Sequence, residues 1–250
     1  MPYDSKRKNG TCKLCGKHAQ LCESHIVPEF CYKPIYCDKH RLVQARVSSH
    51  SISQIVRQKG CKEWMLCSQC ETHLNTHYEQ PFHKFWYENI ITTESIESKY
   101  HMVSGFDYAI MKLFHLSVIW KCHYSQDFGR IDLGPYAYKI RAMLLDVDAG
   151  PENCLPVMGC LLLDDEWKII DRIVSVPGVA RFDQSHFYAM CYAGCEWLFV
   201  MTETPTRKQS KALSAFGIKQ NGTMRLMTSH YKKTRSWDKL VREISLATKG

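Results

Sequence analysis

The sequence predicts an α+β protein in two parts, residues 1–100 and 101–250, and three observations carry that reading. Two C-x-x-C pairs, Cys12/Cys15 and Cys67/Cys70, bracket most of the first part. Between Phe106 and Tyr124 the apolar residues Ile110, Leu113, Phe114 and Val118 recur at helical spacing, the mark of a long, mostly buried helix. From Pro156 onwards, short runs rich in β-branched and aromatic residues alternate with turn signals, the pattern of a mostly antiparallel sheet. Helices followed by strands, rather than strictly alternating with them, define the α+β class.

Residues 1–11 read as a loose basic arm. Cys12-Lys13-Leu14-Cys15-Gly16 then reads as a knuckle, because a Gly directly after the second Cys lets the backbone turn tightly. Residues 18–27 form a strand leading to His25, and Pro28 limits its continuation. Residues 30–60 carry Lys33, Lys39, His40, Arg41, Arg46, Arg57 and Lys59 with Tyr32 and Tyr36 interleaved. That insert is either a plain surface hairpin or a rest for a phosphate strand. A helix, or two, covers 68–91 and starts at the second Cys pair. Phe82, Phe85, Trp86 and Tyr87 on it pack the first part against the second. A knuckle, then strands, then a helix at the second pair outline a treble-clef module. The four paired cysteines, Cys12, Cys15, Cys67 and Cys70, supply the thiolates that a tetrahedral structural zinc needs. Cys22, close to the knuckle, is the alternative fourth ligand. The remaining cysteines, including Cys31, Cys37 and Cys61, read as buried small hydrophobes.

In the second part a helix over Pro135–Leu145 comes after the long one. Strands are expected at Val157–Leu163, Ile169–Val176, Phe187–Tyr192 and Trp197–Met201. A closing helix, Trp237–Thr248, has Ser236 as its cap. The chain shows no nucleotide-binding loop, serine-hydrolase elbow or kinase signature.

Composition narrows the class. Hydrophobic residues make up 45% and aromatics 12%, so the chain can bury a core. The polar start and the short apolar runs predict neither a signal peptide nor a membrane span, hence a cytoplasmic protein with no membrane partner. Thirteen cysteines, an odd number in a chain of this size, argue against a secreted disulfide framework. The net charge of +8 is unevenly spread: the last fifty residues hold 11 Lys and Arg against 3 Asp and Glu, whereas 101–200 hold 8 against 12. Lys208, Lys211, Lys232, Lys233 and Arg235 are therefore the candidate nucleic-acid-binding residues. A solvated surface with no ligand would show the same charge.

The order C-x-x-C, then Ser24-His25-Ile26-Val27-Pro28, then Leu66-Cys67-Ser68-Gln69-Cys70 at a helix start resembles the HNH endonucleases over about residues 10–80. The resemblance implies a ββα-metal module in which His25 is the general base that activates water. It also implies that Glu71, directly after the last Cys, is a catalytic metal ligand. Ser24 stands where that family commonly carries Asp or His, and Lys62 and Glu63 stand where it carries Asn. A Mg²⁺ or Mn²⁺ ion prefers oxygen ligands, which Glu71, Glu79 or Asn75 can supply. His73 is a further candidate, and with His77 four residues on it could take a softer ion.

Two functional expectations result. One is a metal-dependent endonuclease acting on DNA or RNA, of the kind that serves in bacterial defence against phage alongside a partner defence protein. The other is a non-catalytic zinc module that binds nucleic acid or another protein.

Overall fold

A computed structural model describes residues 8–48, 51–182 and 185–233. The chain begins with a three-stranded antiparallel sheet in the order β1 (Lys8–Thr11), β2 (His18–His25) and β5 (Lys62–Cys67). Between β2 and β5 come two short 3-10 turns, Glu29–Cys31 and Lys33–Ile35, and a separate two-stranded ribbon, β3 (Leu42–Ser48) and β4 (Ser51–Arg57). Helix α1 (Ser68–Leu74) starts where β5 ends. It runs through a single π turn, Asn75–Glu79, into α2 (Gln80–Asn89).

Strand β6 (Tyr100–Ser104) then leads to α3 (Tyr108–Tyr124), which Asp107 caps by accepting from Ile110 N–H. Every residue of α3 from Met111 to Cys122 is buried. A helix buried on every side lies in the core, and α3 does so with Lys112, His115, Ser117 and Lys121 among its buried residues. Helix α4 (Tyr136–Asp146) packs beside α3. The remaining strands are β7 (Val157–Leu163), β8 (Gly178–Phe182), β9 (Ser185–Tyr192), β10 (Cys195–Val200) and, after helix α5 (Arg207–Phe216), β11 (Thr223–His230). They form one six-stranded sheet in the order β6-β11-β7-β10-β9-β8. Only the β11–β7 pairing is parallel, so the sheet is mostly antiparallel and the protein is α+β.

One hydrophobic core draws residues from both sides of position 100. Phe82 of α2 stacks on Phe114 of α3 with ring centroids 3.7 Å apart, and Trp86 lies 5.1 Å from Trp197 of β10. Trp86 Nε1–H donates to the Ala193 carbonyl (2.9 Å), so its one polar atom is satisfied inside the core.

Several elements depart from the sequence reading. The segment 169–176 is not a strand: it makes an isolated bridge between Ile169 and Leu163 and bonds such as Ile170 N–H to Leu162 O and Ser175 N–H to Cys191 O. Pro177 lacks a donor and closes that segment, and the edge strand starts after it at Gly178. Strands β6 and β11 and helix α5 have no counterpart in that reading, being short and polar enough to resemble loops. Cys31 and Cys61 are buried as expected, but Cys37 is exposed. The expected Trp237–Thr248 helix with its Ser236 cap lies outside the described residues. No helix among those described is long and apolar enough to cross a membrane.

Candidate metal centre

The knuckle is built by the turn between β1 and β2. Gly16 has φ +78°, a conformation that costs a residue without a Cβ little. It lets Gly16 N–H reach Cys12 O (2.9 Å) while Cys12 N–H bonds Lys17 O (2.9 Å). Lys13 N–H to Met65 O (3.0 Å) ties the knuckle to β5, and Arg141 of α4 donates from Nε to Leu14 O (2.5 Å). Cys67 ends β5 as the cap residue of α1, and Cys70 comes next in that helix's first turn.

These elements bring the Sγ atoms of Cys12, Cys15, Cys67 and Cys70 within 4.8 Å of one another, with Cys15 and Cys67 at 3.9 Å. Four sulfurs about 2.3 Å from a tetrahedral ion lie about 3.8 Å apart, so the cluster fits one such ion. Cys22, paired with Leu66 in the sheet, is not part of the group. Burial works against ionisation of Cys12, yet backbone N–H groups of Cys15, Cys67 and Leu14 bring its thiol down to about 7. Burial, then the neighbouring thiols, push Cys70 up. A bound cation would reverse that order and hold all four as thiolates.

Past this cluster, β2 ends on two residues that face opposite ways. Ser24 is fully buried and donates from Oγ to Glu71 Oε2 at 2.6 Å, in the first turn of α1. His25 turns instead to Glu29, four residues on: its Nε2 lies against Glu29 Oε2. Tyr36 OH donates to the other oxygen of Glu29 (2.8 Å) and accepts from Gly60 N–H (2.8 Å), while His40 Nε2 stands 3.7 Å from that same oxygen. Burial, then the positive charge of Lys62, lowers the His25 pKa to about 4 against the opposing pull of Glu29. The imidazole is therefore neutral at pH 7.

The other expected ion ligands do not converge on Glu71. Glu79, swung inward by the π turn, pairs with the buried Lys121 of α3 at 2.9 Å. Asn75 Oδ1 accepts from Gln80 Nε2 (3.3 Å) at the surface, and His73 Nε2–H donates to Leu144 O (2.8 Å). His73 and His77 do sit together, ring centroids 4.6 Å apart. Among the described residues, the four cysteines are the one group of three or more His, Cys, Asp or Glu side chains arranged to hold an ion. Of the basic candidates, Lys208 and Lys211 are exposed on α5, and Lys232 and Lys233 are exposed in the turn after β11. Arg235 lies outside the described residues.

No family model, curated protein or solved structure matches the chain.

The sequence did not point to Glu29 or Lys121, and it placed Tyr36 in the basic insert without a link to His25. The His-x-x-x-Glu spacing of His25 and Glu29 was the one signal present, hidden by Pro28 between them. Glu63 has a role of its own: its carboxylate accepts Gln126 N–H (2.8 Å) and Asp127 N–H (3.1 Å), fastening the end of α3 to β5.

Proposed function

We propose that this chain is a zinc-stapled endonuclease of the HNH type, hydrolysing phosphodiester bonds in DNA. The module formed by β1, β2, β5 and α1 is read as a treble clef whose four thiolates hold zinc. The observation that carries the proposal is the 2.6 Å contact between Ser24 and Glu71. It joins the end of β2 to the first turn of α1 just beyond the thiol cluster and leaves His25 as the next residue. The resemblance implies an ion at that junction, while the His25 side chain itself turns to Glu29, away from Glu71.

Within this reading His25 takes a proton from the attacking water. Its Nε2 is turned to the Glu29 carboxylate, which leaves Nδ1 as the lone pair for water. A neutral imidazole is the form that can accept, and the carboxylate steadies the imidazolium that results. A Mg²⁺ or Mn²⁺ ion, when bound, polarises the phosphate. Glu71 is the one carboxylate of the expected set beside the strand end, and an ion held by a single carboxylate takes its other ligands from water and substrate.

The alternative, a binding module without catalysis, draws support from the same contact, because Ser24 satisfies Glu71 directly. Plasmid cleavage by purified protein with Mg²⁺ or Mn²⁺ separates the two. The nuclease reading expects nicking or cutting that falls by about 10²–10⁴ in His25→Ala, with fold and zinc content retained. Duplex binding with no cleavage of any DNA or RNA form leaves the binding module.

A further inference from the structure

We infer that the β3–β4 ribbon is a DNA-docking arm that enters the major groove of a duplex and seats the phosphate backbone beside His25. The inference rests on the nucleic-acid reading above and deepens it.

Between Asp38 and Glu63 the chain carries six cations, Lys39, Arg41, Arg46, Arg57, Lys59 and Lys62, and no carboxylate. Lys39, Arg41 and Lys59 are exposed at the root of the ribbon. The two strands pair with each other from Leu42↔Arg57 to Ser48↔Ser51 and with no other strand among the described residues. An isolated antiparallel ribbon is one of the two elements that the major groove of B-DNA admits. The deep, narrow major groove of A-form RNA excludes it. Val43 and Val56 face each other across the ribbon, 59% and 62% exposed, so this side faces away from the core.

The root is fastened to the candidate base. Gly60, just past β4, lies so close to the Tyr32 ring that a Cβ there would collide with it. Its N–H donates to Tyr36 OH, and Tyr36 donates in turn to Glu29, whose other oxygen meets His25. Lys62 is the sheet partner of His25 itself. The chain of contacts from Gly60 to His25 and the Lys62–His25 pairing tie the root of the ribbon to the end of β2, the side on which the proposed arm would seat a phosphate.

The test uses full-length protein and a short fluorescent DNA duplex, titrated over a range of salt concentrations without Mg²⁺ or Mn²⁺, so that binding is read apart from cleavage. The triple variant Lys39→Gln, Arg41→Gln, Lys59→Gln changes exposed side chains only, and matched thermal melting checks its fold. The expected result is roughly tenfold or greater loss of affinity at moderate salt. The slope of log K against log salt should become shallower by about 2.7 if each lost contact contributes about 0.9. Wild type should prefer the DNA duplex to a matched RNA duplex. An unchanged affinity and slope in the variant, or equal affinity for the RNA duplex, overturns the docking arm even if wild type cuts DNA. Loss of duplex binding in the variant, with no cutting by wild type, upholds the arm and removes the nuclease reading. Duplex binding that survives the triple variant but is lost in Val43→Ser, Val56→Ser assigns the ribbon to an apolar contact and also overturns the proposal.

Discussion

Ser24 and Glu71, 47 residues apart in sequence, meet through a 2.6 Å hydrogen bond inside the turn from sheet to helix. Ser24 is fully buried and Glu71 half-buried, so the bond is shielded from water and counts for more than a surface contact. It joins Glu71, the proposed ion ligand, to the residue that precedes the proposed base. A serine hydroxyl here supplies a proton donor to the carboxylate, where an aspartate would supply a second negative charge.

Ser24→Ala removes that donor and should cost about 1.5–3 kcal/mol, the range for a hydrogen bond to a charged group. Ser24→Asp sets two carboxylates against each other. Thermal melting should show it less stable than wild type without divalent ions and restored by Mn²⁺, since a ligand bound to the native state alone raises its stability. A melting temperature indifferent to Mn²⁺ in Ser24→Asp would count against an ion position between β2 and α1.

Elemental analysis of the purified protein should find one zinc per chain. Cys15→Ser or Cys70→Ser should lose it together with the structure of the first part, because metal binding at such a site is coupled to folding. Strong chelation of wild type should lower the melting temperature by more than about 10 °C. Cys22→Ser, outside the thiol group, should keep its zinc.

The features that the sequence disclosed reflect the range of the forces involved. The thiol pairs, Gly16 and the start of α1 are local features, each legible within a few residues. Helix α3 showed itself because Ile110, Leu113, Phe114 and Val118 recur at helical spacing within it. The surroundings of His25 did not. Glu29 and Tyr36 sit in or beside 3-10 turns without periodicity, and Lys121 reaches Glu79 from α3, 42 residues away. The π turn that aims Glu79 inward also left no mark, since Asn75–Glu79 continues the helical pattern on either side. For α5, the spacing of Thr206 and Gln209 is a capping box formed by both reciprocal bonds, a signal that lay in plain view.

His25 should stay neutral well below the ordinary histidine range. A two-dimensional NMR titration should place its pKa near 4, and Lys62→Met should raise it by removing the stronger of the two repelling charges, burial remaining the main cause. Because the folded value lies below the unfolded value of about 6.5, the unfolded chain takes up the proton first. His25 thus lowers stability progressively as pH falls from about 6.5 towards 4, and the effect is absent above that window. In His25→Gln, the fall in melting temperature over that range should be smaller than in wild type. A measured pKa at or above 6.5 would refute the buried, neutral assignment.

The Lys121–Glu79 pair gives the sharpest stability test of the join between the first helices and the core. The lysine side chain is 2% exposed and the glutamate 16%, with the charges 2.9 Å apart. Removing one partner leaves a buried charge uncompensated, so Glu79→Ala should cost about 3–5 kcal/mol, measured by urea denaturation. Replacing both, in Glu79→Leu with Lys121→Met, should recover most of that loss, because an apolar pair of similar volume is no worse than a buried ion pair. The double variant should also raise the His25 pKa, since the Lys121 charge is among those that depress it, whereas Lys139→Met, which breaks the exposed pair with Glu203, should leave it unmoved. Recovered stability together with a raised His25 pKa would locate Lys121 as an electrostatic neighbour of the imidazole. Recovery with an unmoved pKa would confine the pair to holding α3 against the π turn.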